Sequence, residues 1–258
     1  MTKPVPINSL NAIEAMAFVV ILSRELTPEE DRKLSSLEEE LKTDLATFSQ
    51  NKKFEAKFDG KSFEQKEEVA GVTLQDLDNN KKPIWALSIN GNQIVVNCFA
   101  YDAWSKVWPK AKKFIQASLV HISSEDLGIS ILSLQCIDKF TQHTPPKEYT
   151  PFDIFKSGNK YLTEKSCTVG RLWHVHQGWF DEKLGGDRIL NILNIGTIEK
   201  DANLITTVDH ISQYFFKNPK GLADFAELDT NFNALHDGNK DLIMSLLNKD
   251  QLTAVGLV

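Results

Sequence analysis

Two histidines in the second half of the chain are spaced to bind one metal ion. His174 and His176 lie in residues 171–179, a run that predicts a β-strand, and residues two apart on a strand point to the same face. Two imidazole nitrogens could then bind one ion, with His210 or a nearby carboxylate as a third ligand. Paired histidines on a half-exposed sheet face fit the same spacing. We therefore keep the three histidines as weak metal candidates and expect no bound metal or other cofactor.

The opposite face of the same predicted strand carries aromatic residues. Arg171, Trp173, Val175, Gln177 and Trp179 alternate with the histidines and so share one side. Such a face could be a stacking platform for a base or another aromatic ligand. Two tryptophans on one sheet face are also typical of a core packed under a helix. The ligand-binding candidates are Arg171, Trp173 and Trp179.

The common catalytic sequence signatures are absent. The chain contains no GxxxxGK[ST], GxGxxG, GxSxG or HExxH motif. His236 and Asp237 are adjacent on a predicted helix, where neighbouring side chains point about 100° apart, so they are poorly placed to act as an acid–base pair. The catalytic residues are therefore unknown, and the sequence leans away from an enzyme.

Helix-capping and turn sequences in the first half of the chain predict where its helices and hairpins begin. Thr27-Pro-Glu-Glu predicts a helix start, followed by a leucine stripe that ends at Leu45 and Phe48. Asn90-Gly91 predicts a two-residue hairpin turn that pairs Leu87 with Ile94.

Further along the chain, apolar patterns predict strands at 54–58, 69–77, 128–140, 188–198 and 203–215. They also predict helices at 104–119 and 222–247. In the first of these two helices, Pro109 either starts the main helix after a one-turn segment or kinks a continuous helix.

Together these elements predict the fold class and the organisation of the chain. Antiparallel strands covered by long amphipathic helices indicate an α+β protein of two similar-sized packed halves. The proline-rich stretch 144–151 is the candidate boundary, so we expect α+β halves at 1–143 and 144–258, either separate or forming one continuous domain.

Composition restricts the environment and the partners. The formal net charge is −6, and this acidic balance makes nucleic acid an unlikely partner, since binding of its phosphates usually rests on Lys and Arg. Cys98, Cys136 and Cys167 lie far apart and fit a reducing compartment. The longest apolar run, 15–22, has eight residues, too few to span a bilayer as a helix, and no secretion signal is evident. We expect a cytoplasmic protein without membrane contact.

Three stretches resemble a known protein family. They are INGNQIVVNCFAYDAWSKVW at 89–108, Leu134-Gln135-Cys136, and the late helix with Leu235-His236, Lys240 and Leu-Leu-Asn-Lys-Asp at 246–250. In these stretches the chain is similar to a sporadically distributed family of uncharacterised prokaryotic proteins, known mainly by a numbered family model. The N-terminal segment departs from that family's pattern. The resemblance implies a two-part α+β architecture and a bacterial cytosolic setting, with no established activity.

The leading expectation for function is a non-enzymatic binding or accessory protein that acts through a protein partner, including one linked to bacterial defence or toxin genes. Open sheet edges also predict self-association. One alternative is a metal-dependent hydrolase or nuclease around the three histidines. The other is a small-ligand or nucleotide sensor that uses Arg171, Trp173 and Trp179.

Overall fold

The structure is a computed structural model that describes residues 3–58, 63–122, 124–143 and 150–258. The strands are β1 (Val5–Pro6), β2 (Ile13–Leu22), β3 (Thr47–Phe58), β4 (Phe63–Leu77), β5 (Pro83–Asn90), β6 (Gln93–Cys98), β7 (Gly128–His143), β8 (Trp173–Glu182), β9 (Arg188–Lys200) and β10 (Asn203–Gly221). The helices are α1 (Pro28–Lys33), α2 (Leu37–Leu41), α3 (Trp104–His121), α4 (Glu164–Thr168), α5 (Phe225–Leu246) and α6 (Lys249–Ala254).

One antiparallel sheet dominates the fold. Its strand order is β3-β4-β5-β6-β2-β7-β10-β9-β8, with β1 paired to β7. Strands account for 44% of the structure and helices for 30%. The predicted α+β class, with antiparallel sheets covered by long amphipathic helices, is therefore wrong. The strands form a single ten-stranded sheet, and four of the described helices have only five or six residues.

The first predicted helix is broken into short pieces. Thr27 caps α1 as expected, because its side chain and that of Glu30 form a capping box. After α1 the chain forms a 3₁₀ turn, then α2, and Phe48 lies in β3 instead of on the helix. Leu34, Leu37 and Leu41 are still fully buried. The leucine spacing identified a buried face correctly but overestimated the length of the helix.

The hairpin at Asn90-Gly91 forms with a shifted register. Ile89 pairs with Ile94 and Leu87 with Val96, so the predicted Leu87–Ile94 pair is wrong. The two turn residues are Gly91, at φ 59°, and Asn92. A positive φ at the first central position is the requirement that glycine meets in a type II′ turn.

The chain divides into two compact units. Unit 1 comprises Met1–Met16, Ser133–Phe215 and Thr230–Val258, and unit 2 comprises Ala17–Leu132 and Phe216–Asp229. Residues 144–149 of the predicted boundary lie outside the described residues, and the halves 1–143 and 144–258 stay a prediction.

Each unit has its own apolar core. The core of unit 1 packs Phe140, Phe155 and Trp173 against Leu193 and Leu246. In unit 2, Trp104 and Trp108 of α3 stack on each other, with ring centroids 5.8 Å apart, and both contact Phe18. Pro109 lies inside α3, which continues on both sides of it.

An arginine joins two carboxylates in unit 2. Both Arg24 Nη atoms donate to Glu30, at 2.9 and 3.0 Å, and Arg24 also donates to Asp126 at 2.9 Å. The hydrogen bonds from Arg24 lower the pKa of Glu30 to about 2. This charged cluster ties the start of α1 to the turn before β7.

The helices carry no membrane-spanning candidate. Within the described ranges, none of them combines the length and the apolar character needed to cross a bilayer.

Candidate functional site

Three neighbouring strands of unit 1 place polar side chains in one row. Asn191 of β9 is directly opposite Trp179 of β8 on one side and Ser212 of β10 on the other. His210 lies two residues before Ser212 on β10 and therefore projects from the same face. Helix α5 contributes Asn239. The sheet face thus carries an aromatic ring, a hydroxyl, an imidazole and one amide, and α5 adds a second amide.

Hydrogen bonds connect these side chains. Ser212 Oγ donates to Asn191 Oδ1 at 2.9 Å and lies 3.2 Å from His210 Nε2. His210 Nδ1 lies 2.9 Å from Asn239 Oδ1. Asn191 Nδ2 donates to Asp181 Oδ2 at 2.7 Å. Because the amide of Asn191 faces Asp181, its carbonyl oxygen is directed toward Ser212.

Burial sets the charge state of the histidine. His210 is 2% exposed, and this burial lowers its pKa, although the hydrogen bond to Asn239 partly opposes the shift. The imidazole is therefore neutral at neutral pH. Nδ1 faces the acceptor oxygen of Asn239, while Nε2 lies 3.2 Å from Ser212 Oγ and 3.3 Å from Asn191 Oδ1. In the tautomer with the proton on Nδ1, Nε2 is the nitrogen that can accept a proton from Ser212.

Two aromatic rings cover the histidine side of the cluster. The Trp179 ring is nearly parallel to the His210 ring, with centroids 6.4 Å apart and an interplanar angle of 10°. Tyr161 lies against Trp179 at 5.6 Å and 31°. The backbone carbonyl of Tyr161 accepts a hydrogen bond from Gln177 of β8, which holds the segment before α4 against that strand.

The cluster forms the wall of a cavity of about 370 Å³. Aromatic and amide groups lie beside apolar side chains of α5, and four charged residues complete the lining. The charged residues are Lys160, Asp181, Lys183 and Asp241. The volume falls within the range of about 300–1,000 Å³ typical of small-molecule sites.

Comparison of the chain with protein-family models, with curated proteins and with solved structures found no match. The resemblance to an uncharacterised prokaryotic family stays an expectation.

The three predicted ligand-binding residues have different surroundings. Trp179 lines the cavity. Trp173 is 8% exposed and packs edge-on against Phe155 in the core of unit 1. Arg171 Nη2 lies 3.6 Å from Glu199 Oε2, and Arg171 does not line the cavity. Of the three predicted residues, Trp179 borders this cavity, and Arg171 and Trp173 do not.

The three histidine candidates for a metal do not come together. His174 and His176 project from the exposed face of β8, where His176 contacts Asn194, while His210 is buried on the opposite face. Across the residues with a described placement, no group of three His, Cys, Asp or Glu side chains is arranged to hold a metal ion.

Asn191, Ser212 and Asn239 were missed by the sequence analysis. A signal for the first two is present in the printed sequence. Asn191 interrupts the inward-facing series of Ile189, Leu193 and Ile195, and Ser212 ends the inward-facing series of β10. Polar residues at positions that the two-residue period assigns to the core indicate a buried polar cluster.

Proposed function

We propose that the protein binds a small, planar, polar molecule in the cavity of unit 1, as a ligand sensor or ligand-dependent binding protein. The observation that carries this proposal is the shared wall of stacked rings and hydrogen-bonding side chains. Trp179 contributes an aromatic ring to the cavity lining, and Asn191 and Ser212 contribute hydrogen-bonding groups beside it. A nucleobase, a nucleoside or an aromatic carboxylate has matching chemistry.

Charge and size narrow the ligand class. Lys160 and Lys183 line the cavity with Asp181 and Asp241, so the formal charges of these four residues balance. A ligand that carries both donors and acceptors suits this lining better than one with a large net charge. A volume of about 370 Å³ accommodates a nucleoside-sized molecule.

A thermal-shift panel tests the proposal. Nucleobases, nucleosides, nucleoside monophosphates and aromatic carboxylates are each added to the full chain, and a true ligand raises the unfolding temperature because it binds only the folded state. Calorimetric titration of each positive compound then gives its Kd. If no compound in the panel stabilises the folded chain, the proposal is contradicted.

Trp179→Leu should weaken binding of the ligand about 5- to 150-fold, because loss of a stacking face costs about 1–3 kcal/mol. The matched control is Phe180→Leu. Phe180 is the next residue on β8 but is 54% exposed on the opposite face. Equal effects of the two variants on Kd would place the ligand elsewhere.

A protein partner remains a second candidate, favoured by a separate observation. Strand β8 ends the strand order of the sheet, and Leu172 and Ile198 are 62% and 58% exposed near its start. A terminal strand with apolar neighbours can pair with a strand of another chain. Native mass spectrometry of the protein purified from its own host tests this candidate, which predicts a second chain in the complex or a homo-oligomer.

A further inference from the structure

Ser212, His210 and Asn239 form a connected series of side chains of the types that nucleophilic catalysis requires. Ser212 Oγ lies 3.2 Å from His210 Nε2, and His210 Nδ1 lies 2.9 Å from Asn239 Oδ1. A hydroxyl beside an imidazole nitrogen, with the other nitrogen oriented by an amide oxygen, is the nucleophile–base–orienter arrangement of acyl-transfer enzymes.

The series also borders space for a substrate. Ser212 and His210 both line the cavity of about 370 Å³, although each is at most 3% exposed. Asn239 is 7% exposed on α5 and fixes the imidazole from the helix side. The nucleophile is thus shielded from bulk water but faces the cavity.

We propose that the protein is a serine hydrolase for small carboxylic esters, with Ser212 as nucleophile, His210 as general base and Asn239 as the residue that orients His210. This activity goes beyond ligand binding, because it requires a covalent step at Ser212.

The reaction balances with water as the second substrate. Ser212 Oγ attacks the ester carbonyl carbon, and its proton passes to His210 Nε2. The C–O bond to the alcohol breaks, the alcohol leaves with that proton, and an acyl–Ser212 ester remains. Water then attacks the acyl carbon and gives its proton to His210 Nε2, which returns it to Ser212 Oγ as the carboxylic acid leaves.

Asn191 holds the serine in its resting position. The Ser212 hydroxyl donates to Asn191 Oδ1 at 2.9 Å and must turn its hydrogen toward His210 Nε2 for attack. Both acceptors lie within hydrogen-bond reach of the same oxygen, so a rotation about the C–O bond completes the change without moving the backbone.

A small dialkyl fluorophosphate is the probe. Attack of Ser212 Oγ on phosphorus expels fluoride and leaves a stable phosphate ester, which adds a fixed mass to the chain. We expect one adduct per full-length chain, located at Ser212 by peptide mass spectrometry, with release of one equivalent of fluoride. Peptide mapping of the unmodified sequence requires no variant and so does not depend on whether a variant folds.

Variants assign the roles. Ser212→Ala should abolish the adduct, and His210→Gln should slow its formation at least about 100-fold, since loss of a general base costs about 10²–10⁴ in rate. The control is Ser245→Ala. Ser245 also lines the cavity and is exposed, but its hydroxyl donates to the Leu242 carbonyl oxygen at 2.7 Å, so its replacement should leave labelling unchanged.

Two results overturn the proposal. One is the absence of an adduct at Ser212 in folded protein at millimolar probe. The other is an adduct at Ser245 or a lysine that persists in Ser212→Ala, which would show general reactivity of accessible groups. Ligand binding that depends on Trp179 could still be observed in either case, so the two proposals fail separately.

Discussion

Replacing Asp138 with asparagine should remove a strong pH dependence of stability. Asp138 lies on β7 in unit 1 and is 6% exposed, and burial raises the pKa of its carboxyl from 3.8 to about 7. Between these values the folded protein holds a proton that the unfolded chain has released. The free energy of unfolding therefore falls as pH rises from about 4 to about 7, and it levels off above that.

The magnitude follows from the two pKa values. A difference of about 3 pH units, at 1.36 kcal/mol per unit, gives about 4 kcal/mol of stability lost across this window. Asparagine cannot ionise, so the variant lacks this contribution. We therefore compare the free energy of unfolding of Asp138→Asn with that of the unmodified protein at each pH. This difference should favour the variant by about 4 kcal/mol more at pH 8 than at pH 4.

Urea unfolding of both proteins at pH 4, 5, 6, 7 and 8 measures the effect. Ser133→Ala provides a control, because Ser133 is a buried residue of the same strand and has no group that titrates in this range. Its effect on stability should be the same at every pH. If the difference between Asp138→Asn and the unmodified protein is equally independent of pH, Asp138 ionises as freely as an exposed carboxyl, and the reasoning from burial is refuted.

Two further substitutions test the backbone and the charged cluster of unit 2. Gly71→Ala should destabilise the protein by more than about 3 kcal/mol in urea unfolding, because Gly71 has φ 117° and an added Cβ would lie 1.9 Å from the Ile89 carbonyl oxygen. The control Gly158→Ala should cost only about 1 kcal/mol, because Gly158 has φ 72° and open space around it. Equal costs of the two substitutions would contradict the steric explanation. Glu30 has its pKa lowered to about 2 by Arg24, so it stabilises the fold above about pH 4.5 and loses this contribution as pH falls toward 2. Glu30→Gln should therefore be less stable than the unmodified protein at pH 7 and should lose less stability as the pH falls toward 2. If the two proteins lose the same stability in acid, the contact between Arg24 and Glu30 is not the cause of the acid dependence.

Local signals predicted that hairpins form, but not the register of the one at Asn90-Gly91 or the extent of the strands. The turn between β9 and β10 lies between the predicted strands 188–198 and 203–215, and Asp201 and Ala202 occupy it with φ of 51° and 60°. Strands β3 and β4 extend well beyond the predicted 54–58 and 69–77. Their additional residues are mostly charged or polar, and backbone pairing between antiparallel strands requires no apolar alternation.

The candidate site was only partly accessible from the sequence. Trp179 was identified because aromatic residues alternate along β8. The partner of His210 was not, because Asn239 lies 29 residues away on α5 and meets the imidazole only through tertiary packing. His174 and His176 attracted attention through their spacing, although the strand directs them away from His210. Spacing within one strand establishes a shared face, whereas a site depends on what packs against that face.

The discontinuous make-up of the two units has a consequence for synthesis on the ribosome. Unit 2 requires Phe216–Asp229, and unit 1 requires Thr230–Val258. As the chain emerges, unit 2 can therefore assemble before unit 1, even though residues 1–16 of unit 1 are made before any residue of unit 2. Residues 1–16 and 133–215 must wait for Thr230–Val258, and the nascent chain exposes the apolar strands of unit 1 until then. The cavity that holds Ser212 consequently forms only after residues 234–245 have emerged, later than unit 2 can assemble.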